Sequence, residues 1–355
     1  MNIAFVAPRY HPHIGGVEYV VKSVAERLNR MGHDVAVLAG EPEVERPREE
    51  VVGGVRVVRW PTWSPGDAYH VPRLGGELRG VLLELARWAD VIHVHSVHSI
   101  ISMYALGVVK GLGVRVVVTP YYHGTGHTLF RRLLWIPWRR YVRGLLRNTI
   151  IHTVSKLEAK LVERDFGCKA IVIENGVDEL VKSFTWSPGD YVMYSGRIEK
   201  YKNVDLLARI VRRLNEKHGL NLRLRIFGRG PYRGRLERLL KELGVPFEIG
   251  DFKPYKEYIE TLSHAALFGL LSERESYPQS VNEANAIGAP VTTAKPWGLN
   301  FEERPRTLTI DLRWSVDRIA DEVYRLLERA PKEKPAGIPT WDEIALRYVE
   351  ELYRR

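Results

Sequence analysis

The chain has 355 residues, a net charge of +10, 45% hydrophobic and 27% charged residues, and one cysteine, Cys168. That length suits two domains better than one core, and a single cysteine excludes an internal disulfide and fits a reducing, cytoplasmic setting. No run approaches the roughly 18 apolar residues of a membrane-crossing helix, and the excess of Lys and Arg over Asp and Glu is five in residues 1–180 and five in the rest, so neither half is a basic tail.

In chain order, residues 2–8 read as a buried strand rather than a signal peptide, since a basic start and long apolar stretch are missing. A Gly15-Gly16 turn follows, then a helical pattern (Val20, Val21, Val24, Ala25, Leu28) that stops at Gly32. Short apolar runs at 35–39, 55–59, 91–95, 114–119 and 149–154 predict further strands with helices between most of them. The alternation resumes at 191–195, 222–227, 247–249, 267–271 and 291–294. Strands alternating with helices imply parallel sheets covered on both faces, an α/β class. The polar stretch Lys182 to Asp190 predicts the break. Two doubly wound domains are expected, at 1–180 and 190–330. Apolar residues at helical spacing in 341–355 predict a last helix that returns to the first domain.

The candidate chemistry gathers at expected strand ends, where open α/β sheets bind ligands. Glu275 and Glu283, with seven residues between them, bracket a strand–loop–helix junction. Two carboxylates there can hold two hydroxyl-rich parts of one ligand, although spacing alone equally fits two solvated acids. Gly196-Arg197 with Lys202-Asn203 follows another strand. A guanidinium fork and an ammonium suit a diphosphate, and a charged surface loop is the plainer alternative. Gly228-Arg229-Gly230-Pro231 ends the next strand in the same way. Gly15 and Gly16 lack the side chains that would keep a phosphate from helix-terminal amides, and a tight turn explains them equally well. The three-glycine dinucleotide fingerprint and the P-loop are missing.

In the first domain, His93, His95, Tyr122, His123 and Gly124 fall at strand ends, and a histidine of near-neutral pKa can serve sugar hydroxyls or a departing oxyanion. No Asp-x-Asp pair offers a nucleotide-bound divalent metal, and no metal site is expected. Between Asp90 and Glu158 the chain has no carboxylate at all. Within that stretch, residues 129–151 interleave Arg131, Arg132, Arg139, Arg140, Arg143 and Arg147 with Trp135, Trp138 and Tyr141. Such a mixture suits an anionic membrane surface, and equally a solvated helix face. No recognised motif supports nucleic acid.

Taken together, Gly15-Gly16-x-Glu18, Asp90-x-x-His93-x-His95, His123-Gly124, Val154-Ser155, Glu174-Asn-Gly-Val-Asp178, Gly196-Arg197 with Lys202-Asn203, Gly228-x-Gly230-Pro231 and Glu275-x7-Glu283 resemble, in order and nearly end to end, the retaining glycosyltransferases of family 4. The resemblance implies a GT-B fold, two Rossmann-like domains facing across a cleft that takes a nucleotide-diphosphate sugar. It implies that Glu283 binds the ribose, Glu275 lies beside the donor sugar, and Arg197 and Lys202 neutralise the diphosphate. Gly15, Gly16, Gly196, Gly228, Tyr277 and Ser280 would complete the donor site, with His123 near the reacting carbon and His95 and Tyr122 on the acceptor side. The acceptor would be a glycan, a lipid or a lipid-linked glycan. A nucleotide-sugar epimerase and a nucleotide-sugar-binding protein without turnover are the alternatives. Two segments depart from the family pattern: Ser276-Tyr277-Pro278 stands where Gly-Phe-Gly is frequent, and Lys295 to Asn300 replaces a glycine-rich loop.

Overall fold

The computed structural model describes residues 1–124, 129–330 and 337–354, the side chains of 67 and 129–133 excepted. It divides into two units, Met1–Asn175 with Trp341–Arg355, and Gly176–Thr340.

The first unit runs β1 (Asn2–Ala7), α1 (Gly16–Arg30), β2 (Asp34–Glu41), β3 (Arg48–Val52), β4 (Val55–Trp63), β5 (Val71–Pro72), α2 (Gly75–Trp88), β6 (Val91–His95), α3 (Ile100–Val109), β7 (Arg115–Thr119), α4 (Leu129–Leu146), β8 (Ile150–Thr153), α5 (Lys156–Phe166) and β9 (Ile171–Val172). Its sheet order is β3-β4-β2-β1-β6-β7-β8-β9, with β5 beside β4. The central strands are parallel, with Phe5 paired to Val37 on one side and His93 on the other. Their side chains alternate between two cores, Ile3, Phe5 and Ala7 toward α1, and Ala4 and Val6 toward the opposite face. The connections change direction between β1 and β6, which makes this the topological switch point.

Strand β3 was not expected, and it pairs antiparallel with β4. Arg48, Glu49 and Glu50 give it no hydrophobic period, because it is an edge whose charges meet Arg56 and Arg59 of β4. Gly53 and Gly54 close the hairpin at φ +58° and +82°, a backbone that glycine enters without strain.

The second unit runs α6 (Glu179–Lys182), β10 (Tyr191–Ser195), α7 (Val204–His218), β11 (Arg223–Phe227), α8 (Arg233–Leu243), β12 (Phe247–Gly250), α9 (Tyr255–Ser263), β13 (Leu267–Leu270), α10 (Gln279–Ile287), β14 (Val291–Ala294), β15 (Thr307–Ile310) and α11 (Val316–Arg329). All its strand pairs are parallel, in the order β12-β11-β10-β13-β14-β15, with the switch point between β10 and β13.

The expected linker, 182–190, lies inside this second unit. The Ser187 and Gly189 N–H groups donate to the carbonyls of Ser263 and His264 at 2.9 and 2.7 Å, and Trp186 Nε1 donates to Ala265 at 2.8 Å. The division falls instead at Asn175 and Gly176. Surface loops and domain boundaries share the same polar turn residues, so composition alone misplaced the break.

The chain then re-enters the first unit as α12 (Trp341–Arg347), continued by π-helical Tyr348–Tyr353. Trp341 packs edge-on to Tyr19 of α1, Arg27 donates to Asp342 at 3.0 Å, and Arg115 donates to the Leu352 carbonyl at 2.7 Å.

Candidate active site

The carboxyl edge of the second unit is built backbone against backbone. The Gly196 N–H donates to Phe227 at 3.0 Å, Gly228 to Gly250 at 2.9 Å, and Ile198 to Arg229 at 2.8 Å. A Cβ on Gly228 would lie 1.9 Å from the Gly196 carbonyl oxygen, and one on Gly230 would lie 2.2 Å from that of Ile198. These glycines, expected to admit a diphosphate, first of all let two loops touch.

The two loops at the switch point are laced together. Asn203 Nδ2 holds the Leu271 carbonyl at 3.0 Å, and the Glu273 N–H donates to Tyr201 at 2.9 Å. This brings Lys202 Nζ onto Glu275 Oε1 in a close ion pair, the two side chains only 11% and 17% exposed. Burial works against the ammonium, but Glu275 and Tyr201 outweigh it, and the Lys202 pKa is raised. Arg197 differs, reaching outward with its guanidinium beside Glu199 and the Tyr201 hydroxyl, each at 3.2 Å.

Glu283 stands on α10 and is buried. Tyr255 donates its hydroxyl to Oε1 at 2.9 Å. Burial pushes the Glu283 carboxyl up to about 7, against the pull of hydrogen bonds from Tyr255, Tyr258 and Gln279. Ser280 sits half-buried in the first turn of the same helix, where amide N–H groups lack helical acceptors and the dipole favours an anion.

Tyr277, expected on the donor, is turned inward. Its hydroxyl accepts from Arg304 at 2.6 Å and donates to Asn282 at 3.2 Å, and its ring packs on Phe301 at 4.9 Å. Arg304 also donates to Asn282 at 2.6 Å. The network ties the Glu275 loop to the helix that carries Glu283, and no short motif marks Arg304 for it. The segment that replaces the glycine-rich loop supports it from below: Trp297 is buried and donates to the Ser272 carbonyl.

The edge of the first unit has a different chemistry. Gly15 caps α1, and a Cβ on Gly16 would meet nothing within 4 Å, so the unit's own fold does not require that glycine. His93 and His95 lie side by side, ring centres 4.2 Å apart. His93 joins the Tyr353 hydroxyl at 2.8 Å to Thr119 at 2.7 Å, and Thr119 continues to His152 at 2.7 Å. Burial holds His95 down to about 3 and His152 down to about 4, so both are neutral. His95, expected to face an acceptor, lies inside and meets the Tyr121 hydroxyl at 3.3 Å. Tyr122 is also interior: its hydroxyl donates to Asp165 at 2.7 Å, and burial pushes the phenol up to about 12. His123 is half-buried and stacks on His98 at 4.8 Å, which packs at 4.8 Å on Trp135.

Glu158 was not singled out by sequence. Ser155 caps α5 by accepting the Glu158 N–H at 3.1 Å. The carboxylate in return accepts Val154 at 3.0 Å and Tyr122 at 2.7 Å across the unit. It therefore holds the loop that presents His123. The Ser-x-x-Glu capping box was the available signal. Burial pushes Glu158 up to about 7. Elsewhere in the unit, His13, Glu41 and Glu43 bring ligand-type atoms within 4.8 Å of one another. Arg9 already donates to both carboxylates, at 3.2 and 2.7 Å, so that cluster carries its own cation.

Residues 14–179 match the family model "Glycosyltransferase Family 4", and residues 177–335 match "Glycosyl transferases group 1". The chain is 27% identical to a GDP-mannose-dependent alpha-mannosyltransferase of Mycolicibacterium smegmatis, over 82% of this chain and 79% of the relative. It is 25% identical to a GDP-mannose:cellobiosyl-diphosphopolyprenol alpha-mannosyltransferase of Xanthomonas oryzae pv. oryzae, over 99% of this chain and 97% of that one. The sucrose-phosphate synthase structure from Thermosynechococcus elongatus superposes with a TM-score of 0.71 at 17% identity, covering 99% of this chain and 95% of that one.

Proposed function

Since the chain belongs to glycosyltransferase family 4 and has the GT-B fold, we propose that it is a retaining, metal-independent transferase. In this reading it moves a sugar from a nucleotide-diphosphate donor to a glycan or lipid-linked acceptor. The observation that carries the reading is the partly buried Lys202–Glu275 pair, laced onto the same sheet edge as the buried Glu283. A departing diphosphate needs charge placed in advance where negative charge develops. Lys202 supplies a partly buried ammonium, and Arg197 an exposed guanidinium that can fold onto a phosphate. Glu283 takes the ribose hydroxyls in place of the tyrosine hydroxyls it holds now. Glu275 meets the donor sugar and keeps Lys202 aimed. Gly15, Gly16 and His123 serve the reaction from the first unit, as the family resemblance implies.

Retention follows a front-face route. The bond from the anomeric carbon to the diphosphate breaks, the acceptor oxygen bonds to the same face, and the leaving phosphate takes the acceptor's proton. The two GDP-mannose-using relatives make GDP-mannose the first donor to try. No helix among the described residues is long and apolar enough to cross a membrane. A cytoplasmic enzyme resting on the inner membrane face is the setting we propose.

The test is a thermal-shift screen of UDP-, GDP-, ADP- and dTDP-sugars on the wild type and Glu283→Ala. It is followed by product analysis with and without a chelator. One nucleotide should stabilise the wild type, by about 2.7 kcal/mol at a hundred times its Kd, and leave the variant unmoved. Transfer with the donor's anomeric configuration should persist in the chelator. An epimerised donor without acceptor, a tight donor complex without turnover, or loss of transfer on chelation would each sink part of the proposal.

A further inference from the structure

Gln279 is the first residue of α10, one helical turn before Glu283 and on the same face. Its side-chain amide has two donor protons and one acceptor oxygen, and both protons are in use. Nε2 donates to the Gly176 carbonyl at 2.7 Å, and the same amide hydrogen-bonds the Glu283 carboxylate. A carbonyl only accepts, so turning the amide over would set oxygen against oxygen.

That orientation leaves Oε1. It is buried and, among the described residues, has no hydrogen-bond partner, although a buried acceptor without a donor lowers stability. Holding Gly176 does not account for the amide, because Asn282 Nδ2 points to the same carbonyl at 3.4 Å. Nor is the amide loose. Gly176 opens the second unit beside fixed backbone, where the Val177 N–H donates to the Pro339 carbonyl at 2.9 Å and Val177 pairs with Thr340. With Gly176 at one end and Glu283 at the other, the plane of the amide is set, and the direction of Oε1 is set with it.

Oε1 and the Glu283 carboxylate are therefore two neighbouring acceptors on one helix face. Two neighbouring acceptors match a vicinal diol, which presents two hydroxyl protons side by side. We propose that Gln279 shares the ribose diol of the nucleotide with Glu283, its Oε1 accepting from one of the two hydroxyls, and so makes the site selective for a full ribose over its deoxy analogues. The inference rests on the transferase reading, which puts a ribose at Glu283, and adds to it a residue that reads that ribose. A hydroxyl that reaches Oε1 satisfies a buried group; the analogue lacking it leaves that group unpaired and is rejected.

The test is calorimetry on the full chain with GDP, 2′-deoxy-GDP and 3′-deoxy-GDP, or with the same trio on whichever base the thermal-shift screen selects. The wild type should bind the ribonucleotide about tenfold more tightly than either deoxy form. In Gln279→Leu and Gln279→Met, discrimination against one deoxy form should fall below about twofold. Discrimination against the other, which Glu283 supplies, should persist.

A residue that merely braced Gly176 would, when replaced, weaken all three nucleotides by one factor, and that pattern overturns the proposal. Undiminished discrimination in both variants does the same. So does equal affinity of the wild type for the three nucleotides, a result that needs no variant to fold. If the trio binds and the variants lose affinity uniformly, only the role of Gln279 falls. If no nucleotide in the screen binds the wild type, the transferase reading falls and takes this assignment with it.

Discussion

Glu158 in the first unit and Glu283 in the second are buried to the same degree, and burial raises both to about 7. Their partners separate them. Glu158 is held by backbone N–H groups of Val154 and Tyr122, which have nowhere else to bond once the loop is folded. Glu283 is held by side-chain hydroxyls such as that of Tyr255, which a ligand's hydroxyls can replace. A perturbed carboxyl therefore marks a binding group only when its partners are exchangeable; otherwise it marks a joint in the fold. The two edges repeat the contrast: the second unit concentrates charge at Lys202, Arg197 and Glu275, whereas the first unit lines its edge with neutral histidines and tyrosines.

The largest effect expected from breaking this contrast is on turnover. Lys202→Ala should lower kcat by about 10²- to 10³-fold in steady-state assays at saturating donor; a variant as fast as the wild type would remove the ammonium from the chemistry. Next comes stability: Glu158→Ala leaves buried N–H groups without acceptors and should cost about 3 kcal/mol in urea unfolding. If its unfolding midpoint stays put, the joint described here does not exist.

Glu283→Gln should leave the fold nearly as stable and weaken donor binding about tenfold by calorimetry, and unchanged affinity would move the ribose elsewhere. The smallest effect is on pH. A carboxyl raised from 4.5 to about 7 in the folded state favours folding most fully below about pH 4.5. That stabilisation is lost as pH rises toward 7. Each glutamate-to-glutamine variant should therefore flatten the decline across this window, by about 1 kcal/mol per pH unit. A steepened decline would mean that the partners, not burial, set these pKa values.

Much of the architecture was legible before any coordinates. The apolar runs at 2–8, 91–95, 191–195 and 267–271 are the central strands of the two sheets, because a parallel strand buried on both faces must be apolar throughout. Edge strands were not legible: β3 is charged and exposed, and a pattern search for buried runs passes over it. The junction that carries Glu275 and Glu283 was legible because turn, helix start and helix-ending Gly288 lie within one short segment. Tyr122 and His95 looked like site residues because they stand at strand ends, and Tyr277 because the family resemblance implied it. A strand end fixes where a backbone goes, and leaves open whether its side chain faces in or out.

The sequence by itself therefore determined the order of strands and helices, the placing of charge on the second unit's loops, and the carboxylate-free arginine stretch. Each is local, written within a few residues by periodicity and side-chain type. Only the tertiary structure decided that Lys202 meets Glu275, that Arg304 clamps Tyr277, that Glu158 carries the His123 loop, and that Tyr353 is the residue of the returning helix that meets His93. Those pairings join residues 27 to 260 positions apart. No local pattern encodes them, because they arise when the sheet's pairing order brings distant strand ends to one edge.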